Sequence, residues 1–263
     1  MPLLGQPRRD AIMARLGARS AVRVGELADT LGVSPECIRR DLVALERRGL
    51  LVRVHGGAVP PPAAHLGDLQ SRMRRLPDSK AAIAAVAVST FVRADMNLFL
   101  GGGSTIHAVA EHLPQPMRLR VVTNMVDTAV AAAQGRHRQV VITGGTLHPD
   151  YHITMGEPNL ATLRAQRFDL AMVSAHALEP ERGATDPHEM AAEIAQTLCG
   201  SAREIVLLAD RAKFARRSRF QSLPFERVTA LVTDGPPPAP FDTILRHAKV
   251  RVIWPGMARE IPT

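Results

Sequence analysis

The chain has 263 residues, a formal net charge of +8 and 46% hydrophobic residues, enough apolar content for one large or two modest packed domains. No apolar run approaches the roughly 18 uncharged residues of a membrane span, and Met1 to Pro7 lacks the apolar stretch of a signal peptide. The two cysteines, Cys37 and Cys199, have neither metal-ligand nor Cys-x-x-Cys spacing, so the expectation is a cytoplasmic protein with reduced thiols, no metal and no cofactor.

The charge is uneven. Residues 1–58 hold ten arginines against six acids, so this stretch carries +4, half of the total. A basic small domain joined to a nearly neutral large one points to an anionic polymer as the partner of the small one. A GC-rich genome explains part of the arginine excess, because Lys80, Lys213 and Lys249 are the only lysines.

Arg8 to Leu16 is predicted as the first helix, with Ile12 and Leu16 inward, and Ala21 to Val24 as a short strand. Val24 to Val33 reads as a short amphipathic helix ending at Gly32. Val33 alone separates it from a helix whose two ends are both marked. Ser34 is a good N-cap, Pro35 suits the first helical position, Glu36 complements the dipole of the first turn, and Gly49 can take the left-handed conformation that closes a helix. Ile38, Leu42 and Leu45 form one buried stripe, and Arg39, Arg40, Val43 and Arg47 lie away from it. Two helices joined by so tight a turn cross steeply, which is helix-turn-helix geometry. Leu50 to Val54 alternates like a strand, and His55-Gly56-Gly57 turns it back through Ala58-Val59 as a small basic wing. An arginine-bearing helix with such a wing suits a DNA major groove. The candidate contacts are Ser34, Pro35, Glu36, Cys37, Arg39 and Arg40 on the helix, with Arg53 and His55 on the wing.

Pro60 to His65 can be neither helix nor central strand, and Asp68 to Leu76 reads as a charged linker helix. The expected organisation is therefore a DNA-binding domain at 1–59, a linker at 60–78 and an α/β domain at 79–263. In the last, strands at 96–100, 119–122, 140–143, 170–173, 204–208, 230–233 and 250–253 alternate with helices, the pattern of a parallel sheet covered on both faces.

Ligands in such sheets sit beyond the carboxyl ends of the strands. Leu98-Phe99-Leu100 runs into Gly101-Gly102-Gly103-Ser104-Thr105 and then a helix, a cradle in which glycine backbone and a helix N-terminus can hold a phosphate. It is not a P-loop, because no Gly-Lys-Ser/Thr follows, nor a dinucleotide fingerprint, because the third glycine position is missing. Other strand ends add Thr123 and Asn124, Gly144 and Gly145, and Asp210 with Lys213. Lys213 can supply charge to a phosphate and Asp210 can accept from sugar hydroxyls. Equally, the two can form a surface pair, or Asp210 can cap the following turn.

On these residues the chain resembles the DeoR family of transcription regulators. Val24-Gly25-Glu26-Leu27-Ala28, Ile38-Arg39-Arg40-Asp41-Leu42 and Arg53-Val54-His55-Gly56-Gly57-Ala58 carry the likeness in the small domain. Lys80 with Ile83-Ala84, Gly103-Ser104-Thr105, Val122-Thr123-Asn124, Gly144-Gly145 and Leu208-Ala209-Asp210 through Phe214 carry it in the large one. The resemblance implies a winged helix-turn-helix joined to a Rossmann-like α/β/α domain similar to ribose-5-phosphate isomerase. It also implies an effector site for a phosphorylated sugar and adds Lys80 to that site. The departures are Cys37 for threonine, Gly101 for aspartate, Ile106 for threonine, Ser174 and Ala177 for glycines with His176 between them, and Glu193 for lysine. They remove one carboxylate and one ammonium from the expected effector set, and His176 either replaces a lost polar contact or is structural.

The expected function is a DNA-binding regulator, a repressor, modulated by a sugar phosphate and acting as a homo-oligomer, dimer or tetramer, on an operator. The alternative is a sugar-phosphate isomerase or deaminase with an accessory DNA-binding domain. Such an enzyme needs a base over the substrate α-carbon, for which Asp210 and Glu189 are the acids near strand ends.

Overall fold

The computed structural model describes residues 5–18, 21–47, 51–59, 69–214 and 216–257. They separate into two compact units, Met1–Leu76 and Pro77–Thr263.

The first unit contains α1 (Gly5–Ala18), β1 (Val22–Arg23), α2 (Val24–Leu31), α3 (Pro35–Arg47), β2 (Val52–Val54), β3 (Gly57–Val59) and α4 (Leu69–Arg74). Gly32 ends α2 in the left-handed region at φ 63°, and the Ser34 hydroxyl starts α3 by accepting from the Cys37 amide at 3.3 Å. Ile38, Leu42 and Leu45 are fully buried against Ile12, Leu16, Leu27 and Leu31. Each such side chain contributes roughly 1.5–3 kcal/mol by leaving water. An ion pair from Arg8 to Asp41, with side chains 13% and 7% exposed, ties α1 to α3. The strands run in the order β1-β3-β2, so the predicted short strand at 21–24 does pair with the wing. Gly57 permits this, since a Cβ there would lie 2.1 Å from the Val22 carbonyl oxygen. The helix α1 begins at Gly5, before the expected Arg8. The Gly49 stop and the proline segment from Pro60 lie outside the described residues.

The second unit opens with α5 (Pro77–Phe91), whose proline start overlaps the last two positions assigned to the linker. It continues with β4 (Asn97–Leu100), α6 (Ser104–Glu111), β5 (Arg120–Thr123), α7 (Val126–Ala133), β6 (Gln139–Ile142), β7 (Thr146–His148), β8 (Ile153–Met155), α8 (Glu157–Arg164), β9 (Phe168–Ser174), β10 (Ala177–Glu179) and β11 (Gly183–Asp186). The chain ends with α9 (Glu189–Ser201), β12 (Ala202–Leu208), a 3-10 turn at Arg211–Lys213, β13 (Phe220–Leu223), β14 (Ala230–Val232), α10 (Phe241–His247) and β15 (Arg251–Ile253).

The described residues form a seven-stranded parallel sheet in the order β15-β14-β12-β9-β4-β5-β6. Alternate strand residues face opposite cores. Phe99, Ala171, Val173, Ile205, Leu207 and Leu231 pack with residues of α8, α9 and α10. Leu98, Leu100, Met172, Val206, Leu208 and Val232 pack with residues of α5 and α6. A parallel sheet buried on both faces explains why its strands read as continuous apolar runs. From β4 the chain winds outward through β5 and β6, then returns to the other side of β4 and winds outward through β9, β12, β14 and β15. The order therefore reverses between β4 and β9, where an open α/β sheet forms its ligand crevice.

Two features lie outside the sequence expectation. Strands β7 and β8 pair as an antiparallel hairpin, and β10, β11 and β13 form a separate antiparallel sheet.

Candidate DNA-reading face and effector site

In the first unit, the stripe that buries Ile38, Leu42 and Leu45 leaves Arg39 and Arg40 exposed on the opposite side of α3. Arg39 reaches Glu36 at 3.1 Å, but both side chains are 60% exposed, so solvent screens the pair and it yields readily to a phosphate. Pro35 and Glu36 are exposed at the start of the same helix, Cys37 is half-buried, and the Ser34 hydroxyl is engaged as the cap. On the wing, His55 is exposed in the turn. Arg53 is clamped: its amide donates to Glu46 Oε1 at 2.9 Å and its Nε to Oε2 at 2.7 Å. These bonds hold the Glu46 carboxyl below its usual range and fix the wing to α3. The terminal guanidinium nitrogens of Arg53 remain for a phosphate.

In the second unit, the glycine loop follows β4 at the switch point. Gly101 still belongs to the sheet, its amide donating to the Met172 carbonyl at 2.9 Å. Gly103 caps α6 at φ 121° and ψ 156°, a region essentially confined to glycine. Its amide has only the Met125 thioether, 3.3 Å away, a weak acceptor. Ser104 and Thr105 then open α6, so their amides face an incoming group at the positive end of the helix. Ser174 at the end of β9 closes one side, donating to the Gly102 carbonyl at 3.3 Å. The β7–β8 hairpin closes another: Ile153 Cγ2 lies 2.9 Å from where a Gly102 Cβ would stand, and Thr154 donates its amide to the Asn124 carbonyl at 2.7 Å.

Asn124 is the informative neighbour. It is 2% exposed, and its Oδ1, 3.9 Å from a Cβ built on Gly102, is buried without a hydrogen-bond partner. A buried amide oxygen in this state loses free energy until a donor reaches it. Thr123 by contrast is committed to structure, its hydroxyl accepting from the Met125 amide at 3.1 Å. Gly144 is exposed, and Gly145 lies where a Cβ would approach the Met155 carbonyl oxygen to 2.1 Å, so that glycine serves the hairpin. Between them and α8, Thr143, Thr154 and Asn159 form a buried hydrogen-bonded triad that anchors the hairpin. Lys80 is buried near the start of α5, which packs on α6.

At the end of β12, Asp210 is 4% exposed and accepts from the Ala212 amide at 3.0 Å, so it does cap the turn that carries Lys213. The fold adds two charged groups beside this turn. Asp186, on β11, accepts from the His176 amide at 3.1 Å. Burial pushes its carboxyl above the usual range, against the opposing pull of the Ser222 hydroxyl, the His176 amide and Lys213. Arg216 follows Phe214, and burial lowers its guanidinium while the Asp210 charge acts the other way. Sequence reasoning missed both, because Asp186 reaches the site through the pairing of β11 with β13, and nothing local announces it. Glu189 and Glu193 lie instead on the exposed side of α9, in a groove of about 400 Å³ with Arg182, Gln196 and Arg219. Among the described residues no group of three or more His, Cys, Asp or Glu could hold a metal, and no helix is long and apolar enough to cross a membrane.

The family models agree with this two-part anatomy. A DeoR-like helix-turn-helix domain matches residues 8–61 and a DeoR C terminal sensor domain matches 76–235. The HTH-type transcriptional repressor CsqR of Escherichia coli is 30% identical over 254 residues, 96% of this chain and 97% of its own length. The HTH-type transcriptional regulator GlpR of Haloferax volcanii is 32% identical over 259 residues, 98% of this chain and 100% of its own. The glycerol-3-phosphate regulon repressor of Escherichia coli is 28% identical over 93% of this chain and 97% of its own. Among solved structures, ribose 5-phosphate isomerase A of Methanocaldococcus jannaschii aligns at a TM-score of 0.38 and 19% identity, over 52% of this chain and 54% of its own. With both halves matched by their own models and relatives aligned end to end, this chain belongs to the DeoR family of helix-turn-helix transcriptional regulators.

Proposed function

We propose that this regulator is a repressor whose hold on its operator is changed by a phosphorylated sugar bound at the crevice between β4 and β9, and that it is not an enzyme. The observation that carries the effector reading is the Gly103-Ser104-Thr105 cradle at the switch point, with the unsatisfied Asn124 oxygen beside it. The amides and helix dipole suit a phosphate, and the orphan acceptor suits a sugar hydroxyl, which donates. Of the expected effector residues, Gly102, Gly103, Ser104, Thr105 and Asn124 support this reading at the loop, Asp210 and Lys213 lie two strands away, Lys80 is on α5, and Thr123 and Gly145 serve the structure, with Gly144 beside them. The names of the glycerol-3-phosphate regulon repressors among the relatives point to the same ligand class.

On the DNA side, Arg39 and Arg40 read the groove while Arg53 and His55 lie over the backbone. Against catalysis, Asp210 Oδ1 is engaged in capping a turn and Glu189 lies in the groove beside α9. The test pairs two measurements. A thermal-shift panel of sugars and their phosphates identifies a ligand that raises the melting temperature, as anything binding the folded state must. That ligand is then titrated into the complex with DNA selected in vitro by the protein. A phosphate ester that stabilises the protein and shifts DNA affinity supports the reading. Stabilisation by unphosphorylated sugars alone, or turnover of a sugar phosphate, overturns it.

A further inference from the structure

The β7–β8 hairpin carries a group of rings that neither DNA reading nor the phosphate cradle uses. Its tip presents His148 and Tyr151 to His188, the residue just before α9. The ring centroids of His148 and Tyr151 lie 4.5 Å apart, those of Tyr151 and His188 5.3 Å, and those of His148 and His188 6.1 Å. His188 Nε2 stands 3.3 Å from the Tyr151 hydroxyl. Tilted rings at these separations attract one another. His148 and Tyr151 are half-buried and His188 is exposed, so the group sits at the surface rather than in a core.

The partners in this contact belong to opposite sides of the crevice. The hairpin is fixed to the β5 side. Thr154 donates its amide to the Asn124 carbonyl, the Val126 amide donates to the His152 carbonyl at 2.9 Å, Ile153 bridges to Met125, and His152 Nδ1 lies 2.8 Å from Asp127 Oδ2. His188 belongs to the β9 side. It follows Asp186 by two residues, and Asp186 accepts from the amide of His176, just past the end of β9. At the glycine loop the two sides meet again, where Ser174 donates to the Gly102 carbonyl and Ile153 packs over Gly102. Contacts therefore run in a closed circuit, from Gly102 through Ile153 and Tyr151 to His188, and back through Asp186, His176 and Ser174. The Gly103 amide follows directly on Gly102 in this circuit, and the three rings form its far side.

The links differ in strength. Backbone hydrogen bonds and the buried Thr143–Thr154–Asn159 triad hold the hairpin to the β5 side. The link to His188 is made by side chains at the surface, and a ring pair shifts an equilibrium by only about two- to tenfold. The circuit parts most readily there. We propose that the β7–β8 hairpin is a lid over the effector crevice and that His148, Tyr151 and His188 are its clasp, which opens to admit or release the effector. This rests on the crevice being the effector site, as proposed above. A clasp closed over both the empty and the filled crevice is equally hard to open in each, so weakening it raises the entry and exit rates together and changes affinity less.

Tyr151 is the only tyrosine of the chain, so labelling the full-length protein with 3-fluorotyrosine gives one fluorine resonance that reports on the clasp. That resonance should be displaced from the position of free 3-fluorotyrosine and should move towards it in the double variant His148→Ala, His188→Ala. His188→Phe, which keeps a ring, should retain most of the displacement. Exchange of inorganic phosphate, glycerol 3-phosphate and glucose 6-phosphate is then followed by phosphorus NMR. For whichever of these binds, the double variant should speed association and dissociation by about threefold or more, with Kd changing by less than either rate, and His188→Phe should keep rates near those of the wild type. Unfolding curves establish that both variants are compared as folded protein. A fluorine resonance that stays in place in the double variant, or a loss of affinity without the common rise in rates, overturns the lid while leaving the effector site standing. Binding of none of the three probes overturns the crevice reading itself and the lid with it.

Discussion

Gly103→Ala is the sharpest probe of the cradle, because its effect divides into parts the structure specifies. At φ 121° and ψ 156° the backbone occupies a region that a side chain disfavours by about 1–3 kcal/mol. The new Cβ would also stand 2.7 Å from Ser174 Oγ, forcing that hydroxyl to rotate and give up its bond to the Gly102 carbonyl. Losing that bond costs roughly 0.5–1.5 kcal/mol more. The sum, about 1.5–4.5 kcal/mol, should appear as a lowered urea midpoint at unchanged slope. The second part is removable. Ser174→Ala deletes the oxygen and keeps only the Ser174 Cβ, 4.0 Å from the Gly103 position, so the double variant should recover about 0.5–1.5 kcal/mol as a coupling term in a double-mutant cycle. Relief of strain by backbone rotation would turn the 103–105 amides away from the ligand, so effector affinity should fall at least about tenfold in calorimetry, equivalent to about 1.4 kcal/mol. A single variant that loses less than about 0.5 kcal/mol, within the range of ordinary surface changes, and binds effector like the wild type would refute the backbone-cradle argument. Gly103→Val, with a β-branched side chain, should abolish the response.

Three further outcomes follow from the same geometry. Arg40→Ala should reduce operator affinity by roughly 1–3 kcal/mol and relax specificity if it reads a base edge, whereas Arg53→Ala should weaken all sequences alike and flatten the salt dependence by about one unit. Unchanged binding by Arg40→Ala in a fluorescence titration would show that this face of α3 does not meet the groove. Arg8→Ala should destabilise the first unit by about 3 kcal/mol or more, because it leaves the 7%-exposed Asp41 side chain buried without its cation. Chemical denaturation followed on the full chain measures it. For Asp186, burial raises the folded-state pKa, so the carboxyl contributes most favourably below its unfolded pKa and loses that contribution as pH rises through the folded value. Asp186→Asn should therefore gain stability over the wild type at neutral pH, and the gain should shrink as pH falls into the ordinary carboxylate range. A difference independent of pH would remove Asp186 as the cause.

Most of the frame could be read from local signals. The Ser34 cap, the Ile38–Leu42–Leu45 stripe and the Gly32 stop each act within one turn, and the structure places them where periodicity puts them. The parallel strands were legible because burial on both faces makes them unbroken apolar runs. The antiparallel pieces were not. Strands β7, β8 and β10 are three residues each, too short for alternation to register. Within β10 and β11 the polar side chains of Glu179 and Thr185 are buried because they bond each other at 2.8 Å, a pairing that inverts the usual pattern. The site divides in the same way. Gly102 to Thr105 and Asn124 follow strands directly, so sequence order finds them. Asp186 is brought opposite Phe220 by β11–β13 pairing between segments some thirty residues apart, and only the folded register sets it there.

Assembly is the remaining prediction, and two independent arguments require it. The exposed arginines of α3 span about one turn of helix, enough for only a few base pairs, so a single copy cannot reach the affinity of a specific operator. Two copies on half-sites one DNA turn apart, roughly 34–36 Å, can. Regulation makes the same demand. Moving an operator from 99% bound to 99% free takes about 5.5 kcal/mol of differential effector affinity between the two states. That is more than the 1–3 kcal/mol typical of coupling at one site, and sharing it between two copies brings each to about 2.7 kcal/mol, within that range. We expect a homo-oligomer, dimer or tetramer, at micromolar concentration, with one effector per copy and a steeper-than-hyperbolic release from DNA. Light scattering gives the mass, calorimetry the stoichiometry, and titration of the DNA complex the steepness. A monomer that binds one half-site tightly, and leaves it along a simple hyperbola as effector is added, would defeat both arguments at once.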